Sequence, residues 1–226
     1  MTETFLAGGK TIRLEVHEPS TKSTKPLPAI LLLHGSGGNI SWWLDRLTPH
    51  LASAGVALFA PHYFDRTNTE RADLATITDG VHVPLWLDTL STALDLIAAR
   101  PSIDPARIAL VGISLGSFLA LAFAAINSAS PDPAVRNKIR CLIDLSGGLI
   151  EPYATQATAA FPPPLILHGE ADDIVPVTRA RELDAQLTRL KVPHETRILP
   201  KEGHWFSTLA QLQLMMAVAT FLRKHL

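Results

Sequence analysis

Arg107-Ile108-Ala109-Leu110-Val111-Gly112-Ile113-Ser114-Leu115-Gly116 decides how the rest of the chain is read. The apolar run Arg107–Val111 is followed at once by Gly112–Gly116 and then by a helix-like stretch, Leu115–Ile126. A run so short and so uniformly apolar suits a strand buried on both faces of a parallel sheet. Gly-x-Ser-x-Gly between a strand and a helix demands a sharp turn with the serine at its tip. The turn strains the backbone at Ser114, and the flanking chain passes so close that a side chain at Gly112 or Gly116 would collide. Ser114 is thereby presented beyond the strand, at the positive end of a helix. A plain strand-to-helix turn with Ser114 as N-cap is the competing reading of these five residues.

Working outward, strand-like and helix-like runs alternate along the chain. Glu3–Leu6 and Thr11–His17 flank Ala7-Gly8-Gly9-Lys10 and read as a hairpin. Glu18–Pro28, rich in Ser, Thr, Lys and Pro, reads as a loop. Short runs at Ala29–Leu33, Val56–Ala60, Arg107–Val111, Cys141–Leu145, Pro164–Leu167 and Glu195–Leu199 read as central strands. Helical spacing is expected over Trp43–Ser53, after Pro84 to Arg100, and over Leu115–Ile126, Thr178–Leu190 and Ser207–Leu226. Pro105, Pro131, Pro133, Pro176 and Pro193 are expected in loops or at helix ends. The sum is an α/β fold: a three-layer αβα sandwich around a mostly parallel eight-stranded sheet with an N-terminal antiparallel hairpin. One domain spanning residues 1–226, without a large lid, is expected.

Ligands on such sheets bind beyond the carboxyl ends of the strands, so strand-end loops are where chemistry belongs. Ser114 follows the fifth strand. The seventh is followed by Leu167-His168-Gly169-Glu170-Ala171-Asp172-Asp173-Ile174-Val175-Pro176, and the eighth by Pro200-Lys201-Glu202-Gly203-His204-Trp205-Phe206. A serine hydroxyl needs a histidine to take its proton, and the histidine needs a carboxylate to fix its tautomer. The order Ser114, Asp172, His204 matches the chain order that goes with this turn. Asp173 is the alternative acid. His34-Gly35-Ser36-Gly37-Gly38, after the third strand, supplies N–H donors for an oxyanion: Ser36 with Leu115, and Gly37 as the fallback for Ser36. The same loop lacks the G-x-G-x-x-G or Lys-Ser/Thr pattern of a phosphate cradle. His34 is expected to shape the loop, and His168 to pack at the end of the seventh strand.

With those residues in view, the chain resembles the dienelactone hydrolase-like branch of the α/β-hydrolases. The markers are Gly112-Ile113-Ser114-Leu115-Gly116, His168–Pro176 and Ala60-Pro61-His62-Tyr63-Phe64, and the resemblance runs over nearly the whole chain. It implies an α/β-hydrolase fold and cofactor-free hydrolysis of esters or lactones. Dienelactone hydrolases proper carry cysteine where this chain has Ser114, which turns the expectation toward a general carboxylesterase. Lactones, thioesters and small peptides are the alternative substrates of the same triad, and a catalytically dead binding protein is the non-enzyme alternative. Arg66 and Arg71 are open between holding a substrate carboxylate, as arginines do in that family, and being solvated loop charges. Tyr63, Phe64, Trp86 and Trp205 are expected, with Gly37, around a compact pocket built from Phe64–Pro84 and Gly147–Pro163, suited to small acyl or aryl groups.

Composition narrows the partners. A net charge of −1 on 226 residues gives no electrostatic case for nucleic acid or an anionic membrane. Cys141, the single cysteine, excludes an internal disulfide and reads as a small buried apolar residue. Met1–Ala7 lacks a basic stretch leading into an apolar one, and Leu209–Leu222 is interrupted by Gln211 and Gln213. A cytoplasmic enzyme with a small ester substrate, no metal or cofactor, and a monomeric or homodimeric state is therefore expected.

Overall fold

The computed structural model describes residues 1–19 and 25–226, so residues 20–24 of the expected Glu18–Pro28 loop lie outside the described residues. The chain forms two compact units, residues 1–108 and 109–226. Eight strands run in the order β1-β2-β4-β3-β5-β6-β7-β8. They are β1 (Thr2–Ala7), β2 (Lys10–His17), β3 (Leu27–Leu33), β4 (Ala57–Pro61), β5 (Ile103–Ile113), β6 (Cys141–Leu145), β7 (Pro164–Gly169) and β8 (Glu195–Leu199). The sheet is mixed and mostly parallel, as the short apolar runs led one to expect.

In the first unit, β1 and β2 form the antiparallel hairpin, and β2 pairs antiparallel with β4. Residues alternate along β2, so that Ile12, Leu14 and Val16 are buried and their neighbours largely exposed, the period-two pattern of a half-covered strand. β3 pairs in parallel with β4, and Ala29–Leu33 and Ala57–Pro61 are buried throughout. α1 spans Ser41–Ser53 and α3 spans His82–Ala98. Trp86, Leu90, Ala93, Leu94 and Ile97 recur on one face of α3 and are buried there. Its start, two residues ahead of Pro84, differs from the expectation. A proline in the first turn removes an N–H that has no helical acceptor, so the helix tolerates it.

In the second unit, β5, β6, β7 and β8 pair in parallel in that order. α4 (Leu115–Ser128) is buried nearly all round, which its run of Leu, Phe and Ala residues permits. α6 (Thr178–Leu190) buries Ala180, Leu183 and Leu187 on one stripe. α7 (Thr208–His225) starts at Ser207, whose hydroxyl accepts the Ala210 N–H at 3.3 Å. Among the described residues no helix is long and apolar enough to cross a membrane.

Three further features depart from the sequence reading. β8 lies at the end of the sheet and is only half-buried, not buried on both faces; Glu195, Thr196 and Arg197 fit an edge rather than an interior. Pro105 lies inside β5, not in a loop. It occupies the exposed opening of that strand, ahead of the first residue paired with β6, so its missing N–H costs no bond to β6. The connection 64–84 is partly ordered into a 3-10 turn, Tyr63–Arg66, and a short helix α2, Leu74–Thr78. α5 (Pro133–Arg136) and a second 3-10 turn, Ala154–Gln156, are likewise too short to leave a periodic signal.

Candidate active site

The second unit brings three of the expected site residues together. Ser114 follows β5 directly and adopts φ 53° and ψ −118°, a conformation that costs a non-glycine residue about 1–3 kcal/mol. The local sequence makes that turn feasible. A Cβ on Gly112 would stand 2.4 Å from Ser117 Cα and 2.5 Å from Gly116 O, so only glycine fits where the helix folds back over the strand. Ser114 N–H donates to Leu145 O on β6 at 2.8 Å, and Ser114 O accepts the Ser117 and Phe118 N–H groups of the first turn of α4. The side chain is half-buried, within reach of solvent.

His204 joins the turn to the acid. Its Nδ1 lies 2.8 Å from Asp172 Oδ2 and its Nε2 lies 3.1 Å from Ser114 Oγ. A carboxylate can only accept, so Nδ1 carries the proton and Nε2 presents its lone pair to the serine hydroxyl. Asp172, whose side chain is fully buried, is held on its other oxygen by the Ile174 and Val175 N–H groups at 3.0 and 2.8 Å. Asp173, one residue on, is exposed, and it is Asp172 that His204 meets. The two loops meet because β7 ends in Gly169, where a Cβ would stand 2.4 Å from Glu202 O and 2.5 Å from Gly203 O. Glu170 N–H and Ala171 N–H donate to Leu199 O and Glu202 O across the same seam.

His168 supports the acid from below, a role that spacing alone does not reveal. It is fully buried; Nε2 donates to Val175 O at 2.8 Å and lies 3.4 Å from Asp172 Oδ2. Burial lowers its pKa, while the Val175 carbonyl and the Asp172 charge oppose that shift. Cys141 is buried in β6, and burial pushes its thiol up to about 12, so it is inert as a nucleophile.

Leu115 opens α4, and its N–H, being in the first helical turn, has no helical carbonyl to meet. In the first unit, Ser36 and Gly37 lie in the loop after β3, where Ser36 O accepts the Ala72 N–H at 2.9 Å. His34 shapes this loop. Its Nδ1 donates to Gly35 O at 2.8 Å, its carbonyl accepts the Tyr63 hydroxyl at 2.7 Å, and burial lowers its pKa to about 4.

The aromatic residues expected at a pocket wall need correction. Tyr63 and Trp86 are fully buried and Phe64 nearly so; with His34 they form one stacked and edge-on cluster. Trp86 Nε1 donates to Thr67 Oγ1, so both polar handles are spent inside the unit. These side chains offer nothing to a ligand in this structure, because burial of the rings against one another wins. Arg66 donates to Gly8 O in the hairpin and lies 3.6 Å from Asp88, so it is tied to structure; Arg71 is exposed. Trp205 is 77% exposed, and its ring stands at 89° to that of His204 with centroids 5.4 Å apart. The segment 147–163 lines, with α6, a cavity of about 550 Å³ bordered by Leu149, Glu151, Arg179 and Gln186; no triad residue borders it. Among the described residues no group of three His, Cys, Asp or Glu side chains could hold a metal ion.

The model of the dienelactone hydrolase family matches residues 16–213. The chain belongs to the dienelactone hydrolase family. Three solved structures show that its fold is that of the α/β-hydrolases. The dienelactone hydrolase-like promiscuous phosphotriesterase P91, from metagenomic libraries, superposes with a TM-score of 0.82 at 18% identity over 100% of this chain and 97% of its own. Est1E from Butyrivibrio proteoclasticus gives 0.76 at 15% over 99% and 98%. The carboxylesterase Cest-2923 from Lactobacillus plantarum WCFS1 gives 0.75 at 13% over 99% and 97%. No curated protein matches the chain. Within the dienelactone hydrolase family, then, this member carries a serine at the turn, with a histidine and a buried aspartate in line behind it.

Proposed function

We propose that this dienelactone hydrolase-family hydrolase cleaves small carboxylic esters through an acyl-enzyme on Ser114. The observation that carries the reading is the single imidazole of His204, hydrogen-bonded at 2.8 Å to Asp172 and at 3.1 Å to Ser114. His204 Nε2 takes the proton as Ser114 Oγ attacks the ester carbonyl, and Asp172 steadies the resulting imidazolium. The N–H of Leu115 stabilises the oxyanion. The C–O bond then breaks, and the alcohol leaves with the proton from His204. Water, deprotonated by the same imidazole, attacks the acyl-enzyme, and its proton returns to Ser114 as the acid departs.

Support comes from the strain held at Ser114, from the tautomer that Asp172 imposes, and from an esterase name among the structural neighbours. A hydrolysis panel of p-nitrophenyl esters of graded length, with a lactone, a thioester and a small peptide amide, tests it. The ester arm is expected to lead, with butyrate ahead of long-chain esters, and Ser114→Ala to reduce turnover to background. A lead for the lactone, thioester or amide arm would reassign the substrate; undiminished turnover by Ser114→Ala would remove the mechanism.

A further inference from the structure

Among the described residues Trp205 is the only exposed Phe, Tyr or Trp, and the one ring it meets is the imidazole of His204. It sits on a braced loop. His204 and Phe206 on either side of it are buried, so the chain turns both neighbours inward and the indole outward. Glu202 closes the loop, since its carboxylate accepts the Ser207 N–H at 2.8 Å and the Ser207 hydroxyl at 2.6 Å. Gln211, in the first turn of α7, donates from Nε2 to Phe206 O at 2.8 Å. An aromatic ring held in water by such a loop, and not folded back onto the protein, has its apolar surface available to a ligand.

The chemistry at His204 decides which part of an ester that ring meets. The tetrahedral centre formed on Ser114 carries Ser114 Oγ, the oxyanion, the leaving oxygen and the acyl carbon. Nε2, 3.1 Å from Ser114 Oγ, takes the proton there and gives it to the leaving oxygen. Both oxygens must therefore come within about 2.6–3.2 Å of the imidazole nitrogen. The oxyanion turns toward the Leu115 N–H at the start of α4. The acyl carbon takes the direction that remains, away from the imidazole. What hangs on the leaving oxygen emerges beside His204, where the indole stands with its centroid 5.4 Å from that of the imidazole.

We propose that Trp205 is a specificity-determining residue that receives the alcohol portion of the ester and favours an aromatic alcohol there. The proposal rests on Ser114 and His204 acting as the nucleophile and its base. An aryl group laid on the indole removes apolar surface of both rings from water and gains a ring-to-ring contact; a small alkyl alcohol does the first only slightly and the second not at all.

The test uses two isomers, benzyl acetate and methyl phenylacetate, which carry the same phenyl ring on the alcohol and on the acyl side, with methyl acetate as the ring-free ester. In Trp205→Ala, kcat/KM is expected to fall about tenfold for benzyl acetate and to stay within about twofold of the wild type for the other two. Trp205→Phe keeps an aromatic surface and is expected within about threefold of the wild type on benzyl acetate. An equal loss on all three esters would mean that the indole acts through His204, and a loss centred on methyl phenylacetate would put it on the acyl side. Either result, or no loss at all, overturns the proposal. Binding is read separately in Ser114→Ala labelled with 5-fluorotryptophan, the Trp205 signal being assigned by its absence when Trp205→Phe is added. Benzyl acetate is expected to shift that fluorine resonance more than methyl phenylacetate does, and an equal or smaller shift overturns the proposal. If the wild type turns over none of the esters, the hydrolase reading fails by itself and the fluorine arm still decides.

Discussion

The ends of β6 and β7 lie side by side in one sheet, and each carries a buried aspartate. At the β7 end, Asp172 meets two backbone N–H groups on one oxygen and the imidazole of His204 on the other. At the β6 end, Asp144 meets the Gly147 N–H on one oxygen, and its second oxygen meets nothing. The residue type is the same and the depth similar; the number of donors differs. A buried carboxyl group with a full set of donors is equipped to orient a base, whereas one with few is driven to keep its proton. One sheet thereby places a donor-rich and a donor-poor carboxyl group at the ends of neighbouring strands.

The largest expected effect falls at the donor-rich end. Asp172→Asn swaps the acceptor for an amide, spoils the His204 tautomer and should lower kcat by about 10⁴. Ester turnover with the fold checked by circular dichroism measures it, and a loss under tenfold would erase the contrast with Asp144. Next comes the turn that both ends serve: Gly112→Ala drives a methyl into Ser117 and Gly116 backbone and should cost about 3 kcal/mol or more in chemical denaturation. A cost below 1 kcal/mol would mean the strand and helix are not so closely apposed.

At the donor-poor end the effect is on stability and depends on pH. The folded-state pKa of Asp144 is raised from 3.8 to about 7, so between those values the folded protein holds a proton that the unfolded chain has released. The resulting stabilisation by the neutral acid is complete below pH 4 and is lost as pH rises to about 7. Asp144→Asn does not titrate, so its stability relative to the wild type should climb over that window by up to about 4 kcal/mol. Urea unfolding at pH 4.5 and pH 8 reads the difference, and equal gaps at both would contradict it. The smallest effect is expected of Asp173→Asn, which is exposed beside the acid and should stay within about twofold of wild-type kcat.

The fold was legible because apolar runs of five to seven residues, such as Cys141–Leu145, have few other uses, and because Gly112 announces its own turn. The strand ends carrying Ser114, Asp172 and His204 could be found by counting strands. Two kinds of information were not there to read. Apolar patterning says that Tyr63, Phe64 and Trp86 avoid water but not whether they line a cavity or fill a core, and here they fill the core. Elements of three to five residues, α2, α5 and the 3-10 turns, are shorter than the period that would reveal them. Asp144 did leave a signal: a carboxylate inside an otherwise apolar strand, where an unpaired charge is costly. His168 left none beyond its place in the motif, since its hold on Asp172 depends on a bond to Val175 O.

The central claim is that Ser114 is the nucleophile made reactive by His204, and intact-mass analysis after treatment with a fluorophosphonate tests it directly. One adduct per chain is expected, mapped by peptide sequencing to Ser114, absent in Ser114→Ala and slowed by at least 10³ in His204→Ala. An adduct on another residue, or equal labelling of the His204→Ala protein, would contradict it.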